Sequence, residues 1–232
     1  MCIRDRKYDV AAPPAAPDAL AELVAQIGAR PLWIAGSTHA GEEEICLAAH
    51  RTLQARYPSV LTIVAPRDAR RGEEVERLAA AQNLPSARRS AGQAIGRQTQ
   101  IYIADTFGEM GLWYRLASIV FMGKSLSADT ISAGGGQNPI EPAKLGAAIL
   151  HGPSTGNFAE AYSALDAAGG GAKVADADDL ARVLASLFSD VAQARKMARA
   201  SATVVDDLCG ATDRVMQAIE PYLMHMIVDG ER

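Results

Sequence analysis

Cysteine, aromatic residues and long apolar runs are all scarce in this sequence. The three cysteines, Cys2, Cys46 and Cys209, are widely spaced and odd in number. That pattern excludes a disulfide framework or a cysteine zinc site and fits a reducing compartment. No apolar stretch approaches the ~20 residues that a membrane-spanning helix needs. Residues 1–6 are polar and no apolar signal-peptide core follows, so we expect any membrane role to be peripheral.

The composition also limits the fold and the partners. Aromatic residues make up 5% of the chain, whereas alanine and glycine are plentiful. Small side chains favour helices packed closely on a sheet over an all-β sandwich. The formal net charge of −4 argues against a broad nucleic-acid surface, because phosphate backbones require clustered lysine and arginine. Arg67, Arg70 and Arg71 alternate with acidic residues, so most of this run is expected to be a solvated helix start.

The hydropathy pattern alternates between short apolar runs and amphipathic stretches. The alanine- and proline-rich segment 11–17 precedes this alternation and is typical of an extended linker. Strands are predicted at 31–35, 60–65, 100–104, 119–122, 147–150 and 172–174. Helices are predicted at 18–27, 41–57, 71–82, 108–115, 139–145, 158–167 and from 178 onward. Strands separated by helix-length segments indicate an α/β fold, a Rossmann-like doubly wound parallel sheet with helices on both faces.

Polar clusters follow four of the predicted strands, at the sheet edge where doubly wound proteins bind ligands. They are Ser-Thr-His-Ala-Gly-Glu-Glu at 37–43, Pro-Arg-Asp at 66–68, Asp-Thr-Phe-Gly-Glu-Met at 105–110 and Gly-Gly-Gly-Gln-Asn-Pro-Ile-Glu-Pro at 134–142.

The first three clusters each have a purely structural alternative. Ser37 or Thr38 could be the N-cap of the following helix, with a glutamate in its first turn. Asp105 or Thr106 could form a capping box with Glu109. Arg67 could be an ordinary surface arginine.

The fourth cluster has features of a nucleotide site. Its three glycines permit a close approach of the backbone to a ligand. Pro139 suits the first position of a helix, whose free N–H groups favour an anion. Glu141 would then lie in the first turn, where its carboxylate can accept both hydroxyls of a ribose. This set suits a nucleotide that carries a single phosphate.

Several familiar sites are absent from the sequence. Gly123-Lys124-Ser125 resembles the end of a Walker A loop, but Ser118 stands where that motif requires a glycine. No Gly-x-Gly-x-x-Gly opens a helix, and no Gly-x-Ser-x-Gly elbow of a serine hydrolase occurs. His39 with Glu42 and Glu43 is not a zinc helix motif, and the four histidines are scattered. We therefore expect neither a metal nor a cofactor.

Taken in order, the clusters resemble the carboxyl-terminal domain of the bacterial 3-deoxy-D-manno-octulosonic acid (Kdo) transferases. That family has Ser-Thr-His-x-Gly-Glu-Glu, Pro-Arg-His, Asp-Thr-x-Gly-Glu-Leu, Gly-Gly-Ser-Leu and Gly-Gly-(His/Gln)-Asn-Pro-x-Glu-Pro. The matching positions here are 37–43, Pro66 and Arg67, 105–110, Gly123 with Ser125 and Leu126, and 135–142, followed by Gly152-Pro153 and Asn157-Phe158. The resemblance extends from Lys7 to about Ala200.

The resemblance implies the carboxyl-terminal half of a GT-B glycosyltransferase that moves Kdo from CMP-Kdo to lipid A in lipopolysaccharide core synthesis. It implies a site at the cytoplasmic face of the bacterial inner membrane, with no metal needed for donor binding. Arg67 would meet the CMP phosphate or cytosine, Asn138 the phosphate and Glu141 the ribose. The backbone of 108–110 would border the base, and Ser37 and Thr38 would line the sugar pocket. The implied donor-binding residues are Ser37, Thr38, Pro66, Arg67, Gly108, Glu109, Met110, Ser125, Gly135, Gly136, Asn138 and Glu141.

The resemblance also implies a domain organisation. Lys7-Tyr8-Asp9 resembles the segment that joins the family's two domains, whereas residues 1–6 do not fit it. We expect 1–17 to be a truncated interdomain linker with a non-native start, and 18–220 to be the CMP-sugar-binding domain. The tail 221–232 would pack on the absent amino-terminal domain. The family's glutamate general base lies in that domain, so no catalytic residue is assigned here and the isolated chain is expected to be inactive.

Three features depart from the family pattern. Asp68 replaces a histidine, which removes a hydrogen-bond donor and adds negative charge. Lys124 replaces a glycine and could supply a cation for the phosphate or for the Kdo carboxylate, or could simply be solvated. The loop 127–133 is longer than in the family.

Two other functions remain open. A sugar-nucleotide epimerase of the same architecture would bind a UDP-type diphosphate rather than CMP. A non-catalytic nucleotide-binding module would describe the chain if it acts without a second domain.

Overall fold

A seven-stranded sheet in which every observed strand pair is parallel forms the middle of the fold. The computed structural model describes residues 11–126 and 134–209. The strands are β1 (Leu32–Thr38), β2 (Leu61–Pro66), β3 (Ser86–Arg88), β4 (Ile101–Ile103), β5 (Ile119–Met122), β6 (Ala148–His151) and β7 (Gly171–Lys173). Their order across the sheet is β3-β4-β2-β1-β5-β6-β7.

Helices connect these strands and cover the sheet. They are α1 (Pro17–Ile27), α2 (Glu42–Gln54), α3 (Gly72–Ala81), α4 (Met110–Leu116), α5 (Ile140–Lys144), α6 (Ala159–Ala167), α7 (Ala177–Ser189) and α8 (Val191–Leu208). Short 3₁₀ turns at Ala69–Arg71 and Gly156–Phe158 precede α3 and α6. Asp190 separates α7 from α8 because its carboxylate caps the second helix by accepting the N–H of Gln193 at 2.9 Å.

The core lies in two layers, one on each face of the sheet. Successive strand residues point to opposite faces, so Trp33 packs in one layer and its neighbour Ile34 in the other. The layer around Ile34 is covered mainly by α1, α4, α5 and α6, and the layer around Trp33 by α2, α3 and α7. Because both faces are covered, β2 is buried along its whole length, as continuous apolar strands of parallel sheets are.

The chain changes direction across the sheet at β1. From β1 it runs to β2 and the β3–β4 edge, and then returns to β5 on the other side of β1. The carboxyl ends of β1 and β5 therefore form the topological switch point, where open α/β sheets leave a crevice for ligands. This arrangement confirms the prediction of a Rossmann-like doubly wound parallel sheet.

The predicted elements agree with the structure, apart from shifts of a few residues at their ends and one omission. The omitted strand is β3, whose sequence Ser-Ala-Arg lacks the β-branched and apolar residues that mark a strand. It forms because it pairs with β4 through Ser86, Ala87 and Arg88. Pairing with β4, rather than the strand propensity of its own residues, makes this segment a strand.

The proline-rich segment before α1 is extended, as predicted, and is attached to α4. The Arg115 Nη1 atom donates a hydrogen bond to the Pro13 carbonyl at 2.5 Å. A Cβ at Gly111 would overlap the backbone of Pro13 and Pro14, so glycine permits this close contact. The expected boundaries at 17 and 220 stay predictions, and the segments 1–10, 127–133 and 210–232, with the expected tail, lie outside the described residues.

Candidate functional site

Two residues with left-handed backbone conformations lie at the switch point. Ser37, near the end of β1, has a φ of 54°, and Lys124, just after β5, has a φ of 57°. Gly123 brings their loops together, because a Cβ there would overlap the Ser37 carbonyl. Residues other than glycine rarely adopt such backbone angles, so the surroundings of these two loops impose their conformation.

The Glu42 carboxylate fastens the two loops to each other. Glu42 is completely buried. Its Oε2 atom accepts the backbone N–H of His39 at 3.0 Å and of Lys124 at 2.6 Å. Its Oε1 atom accepts those of Ser125 at 2.8 Å and Leu126 at 3.0 Å. Glu42 is therefore an internal anion that converging backbone N–H groups bind, as the backbone of a Walker A loop binds a phosphate.

A second buried carboxylate connects β1 to the turn after β2. Glu43 accepts a hydrogen bond from the Thr38 hydroxyl at 2.8 Å and forms an ion pair with Arg71 at 2.7 Å. Burial raises the pKa of Glu43, and its bonds to Arg71 and Thr38 act in the opposite direction. Arg71 also pairs with Glu74 at 2.8 Å, so its charge is used within the protein.

Arg67 follows β2 and presents a charge to the crevice. Its backbone N–H donates to the Thr38 carbonyl at 2.9 Å, and its side chain is exposed. Within residues 11–126 and 134–209, no carboxylate lies within ion-pair distance of its guanidinium. Arg67 acts to lower the pKa values of both His39 and Tyr114, so its charge lies near both groups.

Tyr114 lies beneath the end of β1. Burial is the main cause that raises the pKa of its hydroxyl, and Glu141 raises it further. The side chains of Ser37 and Arg67 act to lower it, Ser37 through a hydrogen bond. A Cβ at Gly36 would lie 3.0 Å from the Tyr114 Oη atom, so this glycine leaves room for the phenol.

The glycine-rich loop passes between the β5 and β6 loops. The N–H of Gly136, which has a φ of 86°, donates to the Lys124 carbonyl. A Cβ at Gly135 would overlap the Ser154 side chain. The next side chain, Gln137, reaches the first cluster, with its Nε2 atom 2.9 Å from Nε2 of His39. A cavity of about 320 Å³ lies beside this loop and is lined by Gly134, Gly135 and 153–156.

Asn138 and Glu141 lie at the start of α5. The Asn138 Oδ1 atom accepts the N–H of Ile140 at 3.0 Å, and its Nδ2 atom donates to Glu141 Oε1 at 3.2 Å. Pro139 is the N-cap residue of α5 rather than its first helical residue, because the helix begins at Ile140, one residue later than predicted. Glu141 is half-buried and acts to raise the pKa of Tyr114, so its carboxylate lies near that residue.

Comparison with known proteins identifies the family. No protein-family model matches the chain. The chain is 34% identical over 195 residues to the Kdo transferase of Haemophilus influenzae, covering 84% of this chain and 44% of that protein. It is 32% identical over 198 residues to the Bordetella pertussis enzyme, covering 84% and 45%. The solved C-terminal CMP-Kdo binding domain of WaaA from Acinetobacter baumannii superposes with a TM-score of 0.75 at 29% identity, covering 81% of this chain and 96% of that one. This chain belongs to the Kdo transferase family.

The chain corresponds to the carboxyl-terminal domain of the family and spans less than half the length of those two relatives. A putative UDP-N-acetylglucosamine 2-epimerase from Listeria monocytogenes also superposes, with a TM-score of 0.57 at 14% identity over 93% of this chain and 50% of that one. That likeness shows the fold alone. The predicted GT-B fold of the carboxyl-terminal half is confirmed.

The Kdo transferase fold brings the first, second and fourth clusters together. Pro66, at the end of β2, lies opposite Thr38 in the sheet register. The Ser125 side chain is completely buried, and its hydroxyl accepts the N–H of Gly152 at 2.8 Å and donates to the Met122 carbonyl at 2.5 Å. Ser125 and the buried glycines Gly135 and Gly136 therefore shape the loops, and none of the three presents a side chain to the crevice.

The third cluster lies on the β4 side of the same edge. Gly108 has a φ of 80°, Glu109 pairs with Arg89 at 2.7 Å, and Met110 begins α4. The hydrogen bond from Arg89 is the main cause that lowers the pKa of Glu109. The Glu109 carboxylate is thus occupied, which leaves the backbone of 108–110 as the part available to a ligand.

The N-terminal capping hypotheses are wrong for both helices. Gly41, not Ser37 or Thr38, is the N-cap of α2, and the Thr38 hydroxyl donates to Glu43 instead. The helix α4 begins at Met110, so Glu109 is itself the N-cap residue and cannot complete a capping box. Asp105 instead accepts the N–H and hydroxyl of Ser90 at 2.8 and 2.6 Å.

The expectation of a solvated arginine run holds only in part. Arg70 is exposed and pairs with Asp68 at 2.7 Å, whereas Arg71 is mostly covered and binds the buried Glu43. The hydrogen bond from Arg70 is the main cause that lowers the pKa of Asp68 to about 2. The negative charge that Asp68 adds is therefore compensated locally.

Sequence reasoning missed the contributions of His39, Glu42 and Tyr114. The first two stand inside the recognised cluster, and their position directly after a buried strand was a usable signal. Tyr114 lies in an apolar stretch of α4 and resembles any core aromatic residue, so only the fold reveals its position. Among the described residues, no group of histidine, cysteine and carboxylate side chains could hold a metal ion, and no helix there is long and apolar enough to cross a bilayer.

Proposed function

We propose that this chain is the donor-binding half of an enzyme that transfers Kdo from CMP-Kdo to lipid A in lipopolysaccharide core synthesis. Membership of the Kdo transferase family supports the reaction. Likeness to a domain described as CMP-Kdo binding supports the donor.

The observation that carries this proposal is the position of Arg67 beside the switch point. Its backbone N–H donates to the Thr38 carbonyl at 2.9 Å, and among the described residues no carboxylate lies within ion-pair distance of its exposed guanidinium. Arg67 acts on the pKa of His39 and, together with Glu141, on that of Tyr114. One arginine near a ribose-binding carboxylate and a sugar pocket suits one phosphate rather than two. An arginine fork there would stabilise the charge that develops on the departing phosphate.

The other predicted residues take the remaining roles. Glu141 accepts the ribose hydroxyls, the backbone of Gly108, Glu109 and Met110 borders the cytosine, and Ser37 and Thr38 line the sugar pocket. Asn138 uses one amide hydrogen for Glu141 and keeps its second for the phosphate.

The backbone around the site completes this assignment. Pro66 fixes the start of the Arg67 turn, while Ser125, Gly135 and Gly136 hold the loops that frame the pocket. No metal is required for donor binding in this scheme, because Arg67 supplies the positive charge.

The acceptor and the general base belong to a second domain in this proposal. Lipid A would bind there, with the enzyme attached peripherally at the cytoplasmic face of the bacterial inner membrane. The curated relatives are more than twice as long as the part matched here, which leaves room for such a domain.

Nucleotide preference tests the donor assignment. Calorimetric titration of the chain should give tighter binding of CMP than of UMP or UDP. The epimerase alternative predicts the reverse, because a UDP site must accommodate a second phosphate. UDP binding that equals or exceeds CMP binding would overturn the proposal in favour of that alternative.

Transfer itself tests the two-domain assignment. The chain alone should bind CMP-Kdo and transfer no Kdo to lipid A, measured with radiolabelled sugar. Detectable transfer would contradict the assignment of the base to another domain, because residues proposed to bind the donor would then have to catalyse.

A further inference from the structure

Lys124 has a left-handed backbone conformation, which residues with a side chain rarely adopt. Its backbone hydrogen bonds do not explain why a lysine, rather than a glycine, occupies this position. Within the described ranges 11–126 and 134–209, the non-glycine residues with positive φ are Ser37, Asn83 and Lys124. Asn83 follows the end of α3, where asparagine commonly takes this conformation. The N–H of Lys124 donates to Glu42 and its carbonyl accepts from Gly136, and a glycine would make both bonds equally well.

The charges around Lys124 leave its ammonium group available. Burial lowers the pKa of the nearby His39; Glu42 acts to raise it, and Lys124, Arg71 and Arg67 act to lower it further. Glu42 is occupied by four backbone N–H groups and Arg71 by two carboxylates. In the part of the chain that the structure describes, the Lys124 ammonium has no carboxylate within ion-pair distance. The crevice therefore presents two uncommitted cations, Arg67 and Lys124.

Backbone contacts bring the residues that carry these two cations to the same loop of the crevice. The N–H of Arg67 donates to the Thr38 carbonyl at 2.9 Å, and Gly123, the residue before Lys124, packs against the backbone of Ser37 and Thr38. Both cations also act on the pKa of His39, and Arg67 and Glu141 both act on that of Tyr114. A ligand with its ribose at Glu141 and its phosphate at Arg67 would extend its sugar toward Lys124.

We propose that Lys124 is a specificity-determining residue that binds the carboxylate of the donor sugar. The proposal rests on the function proposed above. Kdo carries a carboxylate on its anomeric carbon, so CMP-Kdo has a second negative charge directly beside the phosphate. Two adjacent anions match the two cations that the crevice presents, and a compact ammonium suits a single carboxylate.

Binding of CMP and of CMP-Kdo to variants of the whole chain tests this role. Lys124→Gly and Lys124→Asn remove the charge and suit the left-handed backbone, so both should remain folded. We expect each variant to bind freshly prepared CMP-Kdo about tenfold more weakly than the wild-type chain, while its affinity for CMP changes by less than about twofold. Lys124→Arg keeps the charge and should retain most of the preference for CMP-Kdo. Lys196→Gln removes one charge from the exposed face of α8 and should change neither affinity.

The alternatives give different results. Equal weakening of CMP and CMP-Kdo would assign Lys124 to the phosphate and overturn the proposal. Unchanged affinities would show a solvated lysine and would overturn it as well. In both cases the wild-type chain still binds CMP, and the proposed donor site stands. If the wild-type chain binds no CMP, the donor site and the role of Lys124 both fail.

Discussion

The Arg71 guanidinium makes two hydrogen bonds to the Glu43 carboxylate, at 2.7 and 3.3 Å, below the carboxyl end of β1. Glu43 is fully buried, whereas the Arg71 side chain is 18% exposed. The pair connects the start of α2 to the turn that follows β2. It therefore fixes Thr38 and the Arg67 turn relative to each other, although neither member of the pair faces the proposed ligand.

Replacement of Arg71 by methionine should destabilise the fold. The substitution leaves a buried carboxylate without its cation, which costs about 3–5 kcal/mol of unfolding free energy. Urea denaturation, followed by circular dichroism, measures this quantity. The ion pair with Glu74 that is also lost contributes little, because the Glu74 side chain is 44% exposed.

The destabilisation should depend on pH. Burial already raises the pKa of Glu43, and removal of Arg71 raises it further. A carboxyl group whose folded pKa exceeds its unfolded value of roughly 4.3 contributes its full stability below that value and loses it as pH rises through the folded pKa. The deficit of Arg71→Met should thus be largest at alkaline pH and shrink as the solution is acidified.

Arg70→Met is the matched control for this variant. Arg70 stands beside Arg71, but its side chain is 85% exposed and its partner Asp68 is on the surface. Its removal should change stability by less than about 0.5 kcal/mol. A similar loss in both variants, or a deficit in Arg71→Met that does not vary with pH, would contradict the role given to Glu43.

Glu42→Gln should loosen the switch point. Each carboxylate oxygen of Glu42 accepts two backbone N–H groups, so either orientation of the glutamine amide places its NH₂ against donors. We expect a loss of about 2–4 kcal/mol in unfolding free energy, together with faster amide exchange at Lys124, Ser125 and Leu126.

Glu44→Gln is the comparison for Glu42→Gln, because Glu44 lies in the same helical turn and is exposed. It should alter stability by less than about 0.5 kcal/mol. If Glu42→Gln behaves like Glu44→Gln, the four hydrogen bonds do not hold the loops.

The fold followed from the sequence because strand and helix periods are local properties. The apolar runs of β1, β2 and β5 could be located because both faces of each strand are buried. β3 could not, since Ser86–Arg88 is a strand only because β4 offers it hydrogen bonds. Helix starts were misplaced where a polar residue had a tertiary partner, as Thr38 has in Glu43.

The site was only partly predictable, because the motifs identify its residues but do not show which groups those residues contact. The clusters correctly indicated that Arg67, Asn138 and Glu141 lie at one edge of the sheet. They could not distinguish Glu42, which forms no contact with solvent, from the exposed Glu44 two residues later. The two glutamates have opposite environments because the loop after β5 covers Glu42, and no local sequence pattern encodes the path of that loop.

Glu141→Ala should weaken CMP binding at least about tenfold. A partly buried carboxylate that accepts two ribose hydroxyls makes charged hydrogen bonds of roughly 1.5–3 kcal/mol each. Within the described residues the Glu141 carboxylate accepts one hydrogen bond, from Asn138 at 3.2 Å, so the unfolding free energy should change by no more than about 1–2 kcal/mol. Calorimetry and urea denaturation measure the two effects, with Glu44→Ala as the control. Unchanged CMP affinity would make Glu141 only a residue of the helix start.

Arg67→Met should weaken the binding of CMP without weakening the binding of cytidine. Arg67 is exposed and has no ion-pair partner in the described part of the chain, so its loss should cost less than about 0.5 kcal/mol of stability. A charge-assisted bond to the phosphate contributes roughly 1.5–3 kcal/mol, which corresponds to at least about a tenfold loss for CMP. Cytidine lacks the phosphate and should bind both proteins equally. The CMP affinity of the variant should also depend less on salt, because one exposed charge pair has been removed. Arg70→Met removes an arginine three residues away and should leave both affinities unchanged. If the variant binds cytidine and CMP equally more weakly, Arg67 contacts the base rather than the phosphate. Arg67 would then no longer support a donor with a single phosphate.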